Sequence, residues 1–277
     1  MRKMKKYVAM FCAMLALGVA GTSCSSDEEV AQGEKGQASI MIDLSSDLSY
    51  SRAIDASLYN DIQNYRVSMY KGEEPMFQDS IYGEMTLVHK VDFGGPYTIT
   101  AEYGEDVAYG YDKLYVKGSQ TFNVPQGDTY TVSFICRPAN AKLILDYQGN
   151  DESDSFEDYF QDCAVNVKTQ YMSEAFTMTK ADEGKELYLK TGDESTEVTL
   201  SFTITDKEGE TVTVENFETN KTITLKPGVA YTLTIKPNKV NIDGGKVGLD
   251  ITVDNGVTEE DVNITVPGDI LTDKVTE

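Results

Sequence analysis

Tryptophan is absent from this chain, and histidine occurs once, at His89. A single imidazole leaves no multi-histidine zinc site. It also speaks against a histidine-based triad, since both need imidazole nitrogen to bind metal or take a proton. His89 shares an alternating face with Leu87, Val91 and Phe93, the setting of a core or edge histidine. A glycosidase needs only two carboxylates; the chain has 46 acids, but no spacing singles out a pair. Basic charge is scarce too, with 24 Lys and Arg leaving a formal net charge of −22. Such a surface repels nucleic acid and acidic headgroups, so nucleic acid is excluded as a partner. The chain reads as a non-enzyme that calls for no cofactor and no metal.

Long apolar runs are missing as well. The one sustained run, Tyr7 to Ala20, is shorter than the ~20 residues that span a bilayer. Arg2, Lys3, Lys5 and Lys6 precede it, no acid interrupts it and small residues close it, which makes it a secretory signal. Cysteine is rare: Cys12 lies in that signal, Cys24 follows it, and Cys136 and Cys163 lie in the body. Val19-Ala20-Gly21-Thr22-Ser23-Cys24 resembles a bacterial lipobox, with Gly21 where Leu is usual. That resemblance implies that Cys24 carries palmitate-type acyl chains and heads the mature protein. The other reading is ordinary cleavage near Ala20, with Cys24 a stray thiol. One acyl chain holds a protein to a membrane only marginally, whereas two or more hold it stably. Ser25-Ser26-Asp27-Glu28-Glu29 resembles the acidic tag that sends lipoproteins of gut Gram-negative anaerobes to the cell surface. It also suits a solvated linker, since the polar stretch to Gln37 cannot pack a core. The expected address is the outer membrane, lipid-anchored and surface-exposed. Loss of residues 1–23 removes four basic and no acidic residues, taking the charge to −26.

The body reads as strands. Ala38, Ile40, Ile42 and Leu44 alternate with polar neighbours, as do Tyr65, Val67 and Met69. Leu87–Val91 and Tyr97–Ala101 read as a hairpin around Phe93-Gly94-Gly95-Pro96. Val198, Leu200, Phe202 and Ile204 form the cleanest strand, and Asp206-Lys207-Glu208-Gly209 turns it into Val212 and Val214. Cys136 alternates with Val132 and Phe134, and Cys163 with Val165 and Val167, so both read as free buried thiols rather than a pair. Only Asp55 to Gln63 hints at a helical turn. Short strands rich in Thr, Val and Tyr predict an all-β fold of two tandem β-sandwiches. The expected divisions are signal peptide 1–23, acidic linker 24–37, sandwiches 38–140 and 141–268, and a tail 269–277. A Gly-then-Tyr-Thr echo at Gly95, Gly127 and Gly228 hints at duplication.

Three features remain open to function. Asp151, Asp154, Glu157 and Asp158 could offer oxygen ligands to calcium, but without EF-hand spacing they read as a solvated loop. Tyr97, Tyr103, Tyr109, Tyr111 and Tyr115 could form a sugar-stacking face, or fill a core. Arg52 sits in the polar loop Ser45–Arg52, where proteases cut.

The order of these features, signal, Cys24, acidic tag, alternating strand, Gly95-Pro96-Tyr97-Thr98-Ile99, the Tyr-rich stretch to Tyr115 and Phe134-Ile135-Cys136-Arg137-Pro138, resembles the fimbrillin and minor fimbrial anchor lipoproteins. The resemblance implies two transthyretin-like sandwiches and a role in adhesion or fimbria-like assembly. It implies other fimbrial or surface subunits as partners, besides the membrane reached through the lipid. It also implies a processing question at Arg52, since shaft subunits of that group lose their first strand after a basic residue. The alternative reading is a cell-surface carbohydrate-binding lipoprotein with a glycan ligand.

Overall fold

Two-residue alternation decides the architecture. The structure, a computed structural model, describes residues 36–48, 57–127, 129–209, 211–214, 223–238, 248–255 and 264–266. The first half supplies β1 (Gln37–Ser46), β2 (Arg66–Lys71), β3 (Glu74–Ile81), β4 (Val88–Asp92), β5 (Gly94–Gly104), β6 (Tyr109–Tyr111), β7 (Tyr115–Val124) and β8 (Thr129–Pro138). One helical turn, α1 (Ser57–Asn60), lies between β1 and β2. The strand order β3-β2-β5-β7-β8-β1-β4 folds over at β7–β8, which pair only at Val116↔Pro138 and Lys117↔Arg137. Ile40, Ile42, Val132 and Phe134 from one layer and Val67, Met69, Ile99 and Phe122 from the other form one buried core. Burying each such side chain stabilises the fold by about 1.5–3 kcal/mol.

The second half supplies β9 (Asn140–Tyr147), β10 (Phe160–Thr169), β11 (Phe176–Met178), β12 (Leu187–Lys190), β13 (Thr196–Asp206), β14 (Thr211–Val214), β15 (Ile223–Leu225), β16 (Ala230–Asn238), β17 (Gly248–Asp254) and β18 (Ile264–Val266). One sheet runs β18-β17-β16-β9-β12-β6; the other runs β11-β10-β13-β14, with β15 also on β13. Leu143, Leu145, Leu233, Ile235 and Ile251 meet Val165, Val167, Phe202 and Ile204 in a second core. The fold is all-β, built as two β-sandwiches, and Gly36–Glu277 forms one compact unit.

The halves repeat each other. The order β8-β1-β4 recurs as β16-β9-β12, and β3-β2-β5 recurs as β11-β10-β13. β1 runs parallel to β8 as β9 runs parallel to β16: Ile40 opposes Tyr130, and Leu143 opposes Tyr231. Even a polar bond recurs, Ser133 Oγ donating to Asp43 at 3.0 Å and Thr234 Oγ1 to Asp146 at 3.5 Å. The glycine echo thus marks equivalent strands at Gly127 and Gly228, whereas Gly95 feeds β5, which has a different place.

The hairpin expected around Gly94 and Gly95 is not formed. β4 pairs with β1 and β5 with β2 and β7, so the turn carries the chain from one layer to the other. Opposing β4 to β1, with Val91 against Ala38 and His89 against Ile40, buries Val91 in the core, and Gly94 makes the crossing at φ +88°. The Asp206–Gly209 turn forms as expected, with Ile204 opposite Val212.

Candidate functional site

Cys24 and Arg52 lie outside the described residues. Cys136 and Cys163 are free, each buried in a different core, and burial pushes both thiols up to about 12. They are inert at neutral pH, since the thiolate is the reactive form.

The tyrosines are divided among separate places rather than gathered on one face. Tyr97 is fully buried and its hydroxyl donates to the Asp92 carbonyl at 2.9 Å. Tyr103 stacks on Tyr65 at 5.5 Å, and Tyr115 donates to Glu102. Tyr109 and Tyr111 lie on β6, an edge strand, and cover Phe176 of the edge strand β11 at 4.9 and 5.6 Å. Burial, then the Asp182 charge, push the Tyr111 hydroxyl up to about 12. Burial opposes the shift of Asp182, but bonds from Lys185 and from the Thr179 N–H and hydroxyl outweigh it and hold that carboxyl at about 2. His89 plays the matching part in the first sandwich. It stacks on Phe77 at 4.7 Å, joining the edge strands β4 and β3, and burial lowers its pKa. Each sandwich is therefore closed by aromatic contact between its two edges.

The carboxylates of the acidic loop are engaged within the loop and by its neighbours. Asp151 accepts from the Ser153 N–H and hydroxyl at 3.0 and 2.6 Å, and Asp158 accepts from the Ser155 N–H at 2.8 Å. Tyr159 donates to Asp154, and Lys180 pairs with Glu157. Among the described residues no group of three or more such side chains is placed to hold a metal ion.

Two features escaped the sequence. The first is a buried junction: Lys142, with no exposed surface, pairs with Glu186 at 2.8 Å, and Tyr188 donates to the same carboxylate at 2.8 Å. Tyr188 stands on β12 yet packs in the first core. A lysine amid the apolar run of β9 was the available signal. The second is a polar hollow of about 490 Å³ at the end of the β10–β13 ladder, lined by Lys168, Gln170, Thr196, Glu197, Thr199 and their neighbours. Thr196 is 3% exposed, and its hydroxyl has no hydrogen-bond partner. The adjoining loop is pinned: Thr191 donates to the Ala139 carbonyl at 3.1 Å, and Asp193 pairs with Lys117 at 2.7 Å. Tyr171 lies so close over Gly192 that a Cβ there would meet its hydroxyl at 2.6 Å.

A family model described as a domain of unknown function, DUF4493, matches residues 34–268. The chain belongs to this family. No curated protein matches it. Among solved structures, the DUF4493 chain is similar to a fimbrial assembly protein from Parabacteroides distasonis, at 11% identity and TM-score 0.46, covering 83% of this chain and 98% of that one. It is similar to a protein named for cell adhesion from Bacteroides eggerthii, at 14% identity and TM-score 0.42, covering 79% and 96%. A third, from Bacteroides thetaiotaomicron and named for polysaccharide binding, shows 10% identity and TM-score 0.35 over 72% and 91%. The likeness is too loose to carry over any residue's role.

Proposed function

We propose that this chain is a surface-exposed outer-membrane lipoprotein, tethered through Cys24, that serves cell adhesion or fimbria-like assembly without catalysis. The observation that carries the reading is the order of parts. A basic, apolar head ends at Cys24, an acidic stretch follows, and from Gly36 onward the chain is one compact all-β unit. Among the described residues no helix is long and apolar enough to cross a membrane; in this reading two or more acyl chains on Cys24 hold the protein to it. Within the unit we place the division between sandwiches at 138–141, where β8 gives way to β9 and the strand order begins its repeat.

Cys24→Ala tests the anchor. The variant should leave the membrane fraction for the soluble one and lose label from a clickable palmitate analogue. Unchanged membrane partitioning would overturn the lipoprotein reading. Deletion of the chain should reduce attachment of the cells to surfaces or to one another, and unaltered attachment would remove the adhesion role.

A further inference from the structure

The repeat of the two sandwiches breaks along one side of β8. By the shared register, Ile40 opposite Tyr130 and Leu143 opposite Tyr231, Thr131 and Ser133 of β8 correspond to Thr232 and Thr234 of β16. β17 covers the far side of β16, with Asp254 opposite Thr232 and Thr252 opposite Thr234. No strand among the described residues covers the same side of β8 there. The backbone fixes which groups face out. The Asp47 N–H donates to the Cys136 carbonyl at 2.9 Å, so the even-numbered residues of β8 turn their backbone groups to β1 and the odd-numbered ones away from it. Of those, Arg137 is taken by Lys117 of β7, and Gly118 lies so close to the Ile135 carbonyl that a Cβ there would meet it at 2.7 Å. Thr129, Thr131 and Ser133 are left with outward N–H and C=O groups and no strand beside them. We propose that this edge pairs antiparallel with the same edge of a second copy of the chain, Thr131 of one opposite Thr131 of the other across a two-fold axis.

The chemistry of the edge selects its own copy as partner. Exposed edges are ordinarily blunted by charge, proline or bulges. β3 carries Glu74, Pro75 and register shifts, and β4 carries Lys90. Thr129–Ser133 carries none of these. In a chain of net charge −22 this stretch is neutral, so two copies meet here without like charges opposed. Asp43, which accepts from Ser133 on the same face, would stand three strand spacings from its counterpart, about 14 Å. That exceeds the ~8 Å Debye length of physiological salt. The two-fold axis also sets Thr129 opposite Ser133, and Thr–Thr and Thr–Ser pairs are among those that stabilise antiparallel strands. Val88, Met41 and Thr131 stand in one row across the layer, and pairing continues that row into the second copy. The contact uses the same patch on both copies, so it closes at two and builds no filament. About six backbone hydrogen bonds would join the two edges. The area is below the ~1,200 Å² of stable complexes, so the pair forms at high concentration or where lipid anchors confine the copies to a surface.

The proposal rests on the adhesion reading only for the occasion on which two copies meet. Its test uses the chain 24–277 with Cys24→Ala, so that no lipid is attached. Sedimentation from about 10 µM to about 1 mM should show monomer passing into dimer and nothing larger. Thr131→Pro removes an N–H that β1 does not use and should abolish the dimer throughout that range. Thr131→Lys keeps the backbone intact and sets like charges opposite each other. It serves should the proline variant fold poorly, and it should weaken dimerisation about tenfold. Thr131→Cys should give a disulfide-linked dimer on mild oxidation, since paired Cα atoms about 5.5 Å apart suit that bond. Met76→Cys, equally exposed on β3, should not. A monomer at every concentration, a dimer indifferent to both substitutions, a series of larger oligomers, or equal cross-linking of the two cysteine variants overturns the proposal. If the chain stays monomeric while its deletion abolishes cell attachment, the pairing edge falls and adhesion stands. If the dimer forms and is lost in Thr131→Pro while attachment survives deletion of the chain, the reverse holds.

Discussion

His89 shows how much a single residue's surroundings decide. Its ring lies against Phe77 between two edge strands, and its Nε2 is buried without a hydrogen-bond partner. Burial lowers its pKa below the ordinary 6.5, against a smaller opposing contribution from the Thr86 backbone. The unfolded chain therefore binds the proton more readily than the folded one. Its contribution to stability is complete above pH 6.5 and is lost as pH falls from there towards the lowered value. Urea unfolding at a series of pH values should show stability declining over that window, and His89→Phe should flatten the decline while keeping the stack on Phe77. A decline of equal slope in the variant would mean that carboxylates alone cause it. The alternating face of His89 was legible in the sequence, and so was its bland role. Thr196 was not, because a threonine in a strand is ordinary; only the end of the β10–β13 ladder makes its hydroxyl an exception. Of the two readings open to the tyrosines, a sugar-stacking face or a filled core, composition could not choose; the strand register sends Tyr97 into the core and Tyr109 to an edge.

Strands were legible and their partners were not. Period-two alternation marks β1, β13 and β16 without ambiguity, because one face of each is buried. Pairing depends on segments far apart in the chain, and nothing local in Leu87–Val91 says that it belongs beside β1 rather than β5. The repeat was written in plain residues, Ala38-Ser39-Ile40-Met41-Ile42-Asp43-Leu44 against Ala141-Lys142-Leu143-Ile144-Leu145-Asp146-Tyr147, but the glycine echo drew the eye to turns. β6 was least legible of all. It is three residues long, and although it falls within the first half it completes the second sandwich, setting Tyr111 opposite Leu187 and Tyr109 opposite Leu189. With Lys142, Glu186 and Tyr188 it ties the halves together. The unit should therefore unfold in one transition. Tyr109→Ser with Tyr111→Ser removes the cover from Phe176 and weakens an edge beside the fully buried Leu187 and Leu189. This double variant should split the transition, with amide exchange rising first in β11 and β12. A single transition at an unchanged midpoint would make β6 dispensable.

At the scale of the whole molecule the question is whether the chain keeps its first strand. β1 lies in the middle of its sheet, paired with β8 from Ser39↔Thr129 to Ser46↔Cys136 and with β4 from Gln37↔Asp92 to Met41↔Val88. Ala38, Ile40, Ile42 and Leu44 are all at most 3% exposed. Withdrawing it would uncover two sheet edges and forfeit about 1.5–3 kcal/mol for each large side chain. Proteins whose stability is only 5–15 kcal/mol in total do not lose such a strand without a replacement. Cleavage after Arg52 would cut the covalent link between β1 and the rest, and with it the link to Cys24. Scission alone would not release β1, because both ladders and the core still hold it; a strand from another molecule would have to take its place. Held by its ladders alone, β1 and the lipid with it would be lost whenever a strand from another molecule took its place, so a lasting anchor needs that link intact. We therefore expect the mature chain to begin at acylated Cys24 and to run unbroken through Arg52. Intact-mass measurement of protein isolated from the cell surface under denaturing conditions decides the point, since it separates a nicked strand that native conditions would retain. A dominant species beginning at Ala53 would make this a polymerising subunit and would overturn the anchored reading.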